Sequence, residues 1–159
     1  MERASGAVLR AATVADADAV AALCRRTRQI ALPYLPDLHT YADDCVYFRD
    51  VVFAGDEVHV AERDDSLLGA IAFGNGWVSQ LYVDPAEHGR GIGGALLRLA
   101  MDAQPELQLW TFQQNFAALR FYARYGFTVV RTTDGDNEER EPDALLVWSR
   151  ARAGIGEER

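Results

Sequence analysis

The spacing of apolar residues changes several times along the chain, and each change marks a new element. Through the first 54 residues the pattern reads as helical, with Val20, Leu23, Cys24 and Ile30 at roughly helical intervals. Thr13 stands where an N-cap belongs, and Asp16 and Asp18 place carboxylates in the first turn, where the helix dipole favours them. Pro33 and Pro36 end that run, and a shorter helix is expected over 41–52, after His39 and Thr40. From Glu57 the period drops to two. Val58 and Val60 alternate with His59 and Ala61, Asp64-Asp65-Ser66 is a turn, and Leu67–Phe73 reads as the second arm of a hairpin. Gly74-Asn75-Gly76 turns the chain again into a strand over Trp77–Val83, which Pro85 stops. Ile92, Ala95, Leu96, Leu99 and Ala100 then form the stripe of an amphipathic helix. Leu107–Phe112 alternates as a strand, Asn115–Tyr125 reads as a helix closed by Gly126, and strands are expected over 127–131 and 144–148.

The three successive strands of the middle are linked by hairpin-length turns and pair antiparallel. The strand–helix–strand crossover from Trp77 to Phe112 makes a parallel pair. The expected class is α/β, a mixed sheet with helices on both faces. There is no repeat, low-complexity tract or linker, so a single domain is expected over 1–150, with residues 151–159 as a frayed tail.

Composition removes whole classes of function. A chain of 159 residues with 49% hydrophobic and 25% charged positions is globular and builds one core. A formal charge of −8 disfavours nucleic acid and anionic membrane faces as partners. The 16 basic residues are all arginine, which excludes a Walker-type phosphate loop and Schiff-base chemistry. Two cysteines, Cys24 and Cys45, and three histidines make neither a disulfide framework nor a four-thiolate zinc site, and no metal is expected. No signal peptide is visible, and no run approaches the ~20 apolar residues of a membrane span. The expected setting is the cytoplasm, with reduced thiols.

The chemistry concentrates in His88-Gly89-Arg90-Gly91-Ile92-Gly93-Gly94, between a strand and a helix. Glycines let the backbone curl and approach a ligand, while the free N–H groups of a helix start face outward. Such a turn is an anion cradle suited to a pyrophosphate, and Arg90 can add one charge-assisted contact. The segment formally matches the dinucleotide fingerprint G-x-G-x-x-G. The nicotinamide reading fails twice, because Leu109-Trp110-Thr111-Phe112 ends the next strand without a carboxylate and because antiparallel strands precede the turn.

Taken in order, four segments resemble the GNAT superfamily of acetyl-CoA-dependent N-acetyltransferases. They are Leu81-Tyr82-Val83-Asp84-Pro85, then Gly89-Arg90-Gly91-Ile92-Gly93-Gly94-Ala95-Leu96-Leu97, then Asn115-Phe116-x-Ala118, and finally Phe121-Tyr122-x-x-x-Gly126-Phe127. The resemblance spans roughly 58–130. One departure is plain: His88 stands where the family's pyrophosphate motif usually begins with Arg or Gln, which implies weaker or pH-sensitive cofactor contacts at that point.

What the resemblance implies can be taken residue by residue. Acetyl-CoA would be held by the turn from His88 to Ala95 and by the peptide groups of the strand at Leu81, Tyr82 and Val83. The Leu81 amide would face the thioester oxygen, where negative charge develops. Tyr122 would be the general acid that protonates the departing thiolate, as a phenol protonated at neutral pH can do; the alternative is an aromatic packed against the sheet. Asn115 would contact the cofactor, cap its helix, or both. Many relatives carry an acidic base two residues before the Leu81 position, and here Ser79 stands there. Glu138, Glu139, His39 or a water held by Ser79 are the substitutes considered. The acidic run Asp134–Asp143 would border the acceptor's entry and favour cationic amines, or be a solvated loop. Leu32–His39, with Tyr34 and His39, would form the opposite wall, or merely connect helices. The acceptor would be a small-molecule or peptide amine, and relatives are often homodimers. The rival to an enzyme is a non-catalytic acyl-CoA-binding regulatory module.

Overall fold

The computed structural model describes residues 3–4 and 6–151. They fall into two compact units, one built from the residues up to Gly74 together with Val78–Ala100, the other from Asn75–Trp77 together with the residues from Met101 on. The tail expected to fray lies, from residue 152 on, outside the described residues.

The first unit opens with strands, which corrects the reading of the first 54 residues as helical. β1 (Arg3–Ala4) and β2 (Ala7–Ala11) pair antiparallel, and β2 pairs antiparallel with β3 (Glu57–Arg63) from Val8↔Glu62 to Ala11↔His59. In β2 the buried Ala7 and Leu9 alternate with half-buried Val8 and Arg10. This alanine-rich stretch has little strand propensity of its own; its partner, remote in sequence, makes it a strand.

A 3-10 turn over Val14–Asp16 leads into α1 (Ala17–Ala31), and the Asp16 carboxylate accepts from Thr13 N–H at 2.9 Å. The helix expected over 41–52 is present as α2 (Tyr41–Tyr47), a π-helical turn over Phe48–Val52 and the short α3 (Phe53–Gly55). Thr40 and Asp43 cap α2 reciprocally, with Asp43 N–H donating to Thr40 Oγ1 at 3.1 Å and Thr40 N–H to Asp43 Oδ2 at 3.0 Å.

β3, β4 (Ser66–Gly74) and β5 (Trp77–Val83) follow in spatial order, so the first unit's strands run β1-β2-β3-β4-β5. Both connecting turns have two residues at positive φ, Asp64 (51°) with Asp65 (63°) and Asn75 (53°) with Gly76 (81°), the twist that suits tight hairpins. Ala70 and Ala72 face a core made with Val20, Leu23 and Cys24 of α1 and with Cys45, Phe48 and Val52. The other face of β4 meets α4 (Ile92–Ala103). A Cβ on Gly69 would come within 3.0 Å of Leu96 and 3.1 Å of Ile92, so glycine lets α4 lie close on the strand. Helices therefore cover both faces, and each fully buried Leu or Ile there stabilises the unit by about 1.5–3 kcal/mol.

The second unit contains β6 (Glu106–Phe112), α5 (Phe116–Arg124), β7 (Thr128–Thr133) and β8 (Asp143–Ser149). Its strands lie in the order β6-β8-β7, all antiparallel. Trp77, the first residue of β5, pairs with Gln108 of β6 in parallel, and Gln108 N–H donates to Gly76 O at 2.8 Å. The expected mixed sheet thus has its parallel pair where the crossover placed it.

Candidate active site

The glycine turn is anchored before it begins. Asp84 closes β5, with its N–H donating to Leu68 O at 2.8 Å. Its side chain accepts from Ala86 N–H at 3.0 Å and from Arg26 of α1 at 3.0 Å. Those contacts, the Ala86 amide foremost, hold its carboxyl below the usual value. Pro85 then starts a 3-10 turn over Pro85–Glu87. The buried Glu87 accepts from Arg63 at the end of β3 at 2.8 Å, and Arg90 stands 3.8 Å away. The Arg63 hydrogen bond lowers the Glu87 carboxyl as well.

His88 is exposed, and its ring reaches back to Val83 O at 2.9 Å. A carbonyl can only accept, so Nε2 carries the proton. Gly89 (φ 80°) and Gly91 (φ 83°) both adopt backbone conformations that side chains resist. A Cβ built on either meets nothing within 4 Å, so both open into free space. The first α-helical bond of α4 runs from Ala95 N–H to Gly91 O at 3.0 Å. Helix geometry consequently leaves the N–H groups of Ile92, Gly93 and Gly94 without acceptors inside α4. The donors are backbone, and the wall that a side chain would occupy is missing. These residues fit a pyrophosphate.

Along β5, Leu81, Tyr82 and Val83 are half-buried. Tyr82 packs against the α1 core and hydrogen-bonds Cys24, whose thiol burial pushes up to about 11. Ser79 and Leu81 alternate onto the opposite face. Ser79 Oγ donates to Asp56 Oδ2 at 2.5 Å and lies 3.3 Å from Ala72 O. A Cβ on Gly74 would fall 3.0 Å from Asp56 Oδ1, so Gly74 makes room for that carboxylate. The segment carrying Tyr34 and His39 is pinned by Arg25, which donates to His39 O (2.9 Å), Asp44 (3.0 Å) and Asp37 (2.8 Å).

The remaining sequence-derived candidates belong to the second unit. Asn115 caps α5, its Oδ1 accepting from Ala118 N–H at 3.2 Å. Tyr122 is buried, with Phe121 and Phe127 edge-on at 5.2 and 5.4 Å between centroids. Gly126 (φ 91°) turns the chain beneath it. Among the described residues no hydrogen bond to the Tyr122 hydroxyl is seen, and burial pushes the phenol well above its ordinary value. The acidic run is a structured loop. The Asn137 amide donates to Glu141 O (2.6 Å) and Asp143 (3.0 Å), and Thr133 bonds the other Asp143 oxygen. Glu138 is exposed on it and Glu139 half-exposed. Among the described residues no three His, Cys, Asp or Glu side chains are grouped to hold a metal ion.

Glu87, Arg63 and Asp56 were not singled out from the sequence. Asp84-Pro85 is a local cap signature, but the partners of Glu87 and Asp56 lie 24 and 23 residues away and leave no local mark.

A model of the acetyltransferase (GNAT) domain matches residues 54–129. The chain is 33% identical over 110 residues to the peptidyl-lysine N-acetyltransferase YiaC of Escherichia coli K12, covering 68% of this chain and 75% of that protein. It is 32% identical over 80 residues to the peptidyl-lysine N-acetyltransferase YjaB of the same organism, covering 50% of this chain and 54% of YjaB. The PaiA N-acetyltransferase of Thermoplasma acidophilum, crystallised in complex with coenzyme A, superposes with a TM-score of 0.70 at 15% identity, over 90% of this chain and 98% of that one.

Proposed function

Because the chain belongs to the GNAT family of N-acetyltransferases, we propose that it moves the acetyl group of acetyl-CoA to a lysine amine of a peptide, by direct attack in a ternary complex. Bound acetyl-CoA supplies an acetyl group activated as a thioester. The observation that carries the reading is the open cradle at Gly89 and Gly91, which side chains would both strain and fill.

The amides of Ile92, Gly93 and Gly94 hold the pyrophosphate at the positive end of α4, and Arg90 adds a charge from its rim. Ala95, small and half-buried, keeps the first turn of α4 low beneath it. The peptide groups of Leu81 and Val83, with Tyr82 between them, hold the pantetheine arm as an added strand would. His88 uses one lone pair of Val83 O and leaves the other for that arm. The Leu81 N–H would be the donor for the thioester oxygen and would stabilise charge developing there. Tyr122 would supply the proton for the leaving sulfur, and Asn115, already the cap of α5 through its Oδ1, would offer its amide nitrogen. A buried Cys24 with a raised pKa makes a poor nucleophile, which favours direct attack over an acetyl-cysteine route.

The lysine acceptor is drawn from the names of YiaC and YjaB and suits a chain of net charge −8. Tyr34, His39, Glu138 and Glu139 are the candidate acceptor-contacting residues in this reading. The cytoplasm is the expected compartment; among the described residues no helix is long and apolar enough to cross a membrane.

The test is mass-detected acetyl transfer from acetyl-CoA to a panel of lysine peptides and free amines, with coenzyme A binding followed by calorimetry. Wild type is expected to add 42 Da (about one acetyl group) to lysine peptides, and Gly91→Val to lose coenzyme A binding. Unchanged affinity in Gly91→Val would put the pyrophosphate elsewhere, and transfer confined to free amines would overturn the peptide acceptor.

A further inference from the structure

An amine arrives at neutral pH as an ammonium ion, and it must lose a proton before its nitrogen can attack. Ser79 carries a hydroxyl on β5, two residues before Leu81. The structure sets a carboxylate behind that serine: Ser79 Oγ donates to Asp56 Oδ2 at 2.5 Å. We propose that Asp56, acting through the Ser79 hydroxyl, takes the proton shed by the acceptor amine.

Three features support this arrangement. Asp56 is fixed at the backbone, its N–H donating to Val52 O at 2.9 Å, so its carboxylate is presented and not swinging free. Gly74 leaves the space that the carboxylate fills, since a Cβ there would approach Oδ1 to 3.0 Å. Ser79 is exposed, so its hydroxyl can meet a substrate, and it shares a strand face with Leu81, two residues or about 7 Å along the strand. The charged surroundings are simple. α3 and the Phe73–Gly74 end of β4 contribute no titratable group, β3 contributes Glu57 and His59, which bind each other at 3.1 Å, and Tyr82 of β5 faces the α1 core.

The proton count closes. As one ammonium N–H proton passes to Ser79 Oγ, the hydroxyl proton of Ser79 passes to Asp56 Oδ2. This leaves a neutral amine, an intact serine and a neutral Asp56. The amine nitrogen then bonds the acetyl carbon as the C–S bond breaks; the second N–H proton passes, net, to the departing thiolate, leaving an amide and the coenzyme A thiol, and Asp56 returns its proton to solvent. Ser79 touches the ammonium, while Asp56 positions Ser79 and holds the proton.

The proposal rests on the acetyl-transfer reading above, and the experiment separates the two. Transfer to a lysine peptide is measured from pH 6 to 10 for wild type, Asp56→Asn, Ser79→Ala and Ser79→Thr, with coenzyme A affinity measured in parallel. Asp56→Asn and Ser79→Ala are expected to lower kcat/KM about 100-fold at pH 7. Without a proton acceptor only the neutral amine reacts, so the deficit should shrink about tenfold per pH unit and close at about pH 9, below the amine's own pKa of about 10.4. Ser79→Thr keeps the hydroxyl and should recover most of the loss, and coenzyme A affinity should stay near wild type throughout. A deficit that is absent, constant across pH or matched by lost coenzyme A affinity overturns the relay while leaving acetyl transfer intact. A wild type that binds coenzyme A and acetylates nothing overturns the underlying reading.

Discussion

Two roles meet at Tyr122, a packed ring and, in the proposed reading, an acid. Its ring lies among Phe121 and Phe127, so removing the ring would open the second unit's core. Its hydroxyl has no hydrogen-bond partner seen among the described residues, so deleting the oxygen alone orphans nothing. Tyr122→Phe therefore separates chemistry from packing. If the phenol protonates the leaving sulfur, kcat should fall about 100-fold, with coenzyme A affinity and the denaturation midpoint close to wild type. The pH profile adds a second handle. Burial raises the phenol's pKa, so its acid form persists beyond the ordinary value of about 10. Wild-type kcat should show no alkaline fall from this group below pH 10. Weakened coenzyme A binding with unchanged kcat would leave Tyr122 as a packing residue.

The 3-10 turn over Pro85–Glu87 shows how an element can be held from outside itself. Arg26 reaches Asp84 from α1 and Arg63 reaches Glu87 from β3, so the start of the glycine turn is tied to two remote elements. Asp84→Ala removes a cap and an ion pair together and should cost about 1 kcal/mol, with weaker coenzyme A binding. Because the native pKa of Asp84 is depressed, its contribution is complete above the unfolded carboxylate's pKa of about 3.9 and fades as pH falls through the native value. Urea denaturation should accordingly show a gap between wild type and variant that is full at pH 7 and closes in acid. A gap unchanged in acid would mean that the charge of Asp84 contributes nothing.

The same contrast between local and remote determinants explains what could be read from the chain alone. β5, α4 and α5 were legible because their signals are local: alternation with a stop at Pro85, an apolar stripe, and Asn115 and Gly126 bracketing a helix. The glycine turn was legible for the same reason, since four glycines in six positions can be read in place. β2 was not, because its strand state depends on β3, joined to it by Arg10 and Glu62, 52 residues apart. Asp56 was equally silent. Nothing near it in sequence announces Ser79, and only the folding of β4 and β5 brings the two together.

Charge belongs to the molecule as a whole. With a net charge of −8, and six acids among the ten residues Asp134–Asp143, the chain attracts cations before any contact is made. That attraction is screened over about 30 Å at 0.01 M salt and about 3 Å at 1 M, so it acts on encounter and not on the closed complex. For a lysine peptide flanked by arginines, kcat/KM should fall several-fold as salt rises through this range, while kcat at saturation holds steady. A peptide flanked by glutamates should behave oppositely, improving as repulsion is screened. The structured loop allows the source of the field to be tested as well, since Glu138 is exposed on it and Glu139 half-exposed. If the loop selects the acceptor, Glu138→Gln with Glu139→Gln should flatten the salt dependence for the cationic peptide by more than two charges removed elsewhere on the surface. An equal flattening by distant charges would assign the selection to the net charge of the chain and leave the loop no special part in it.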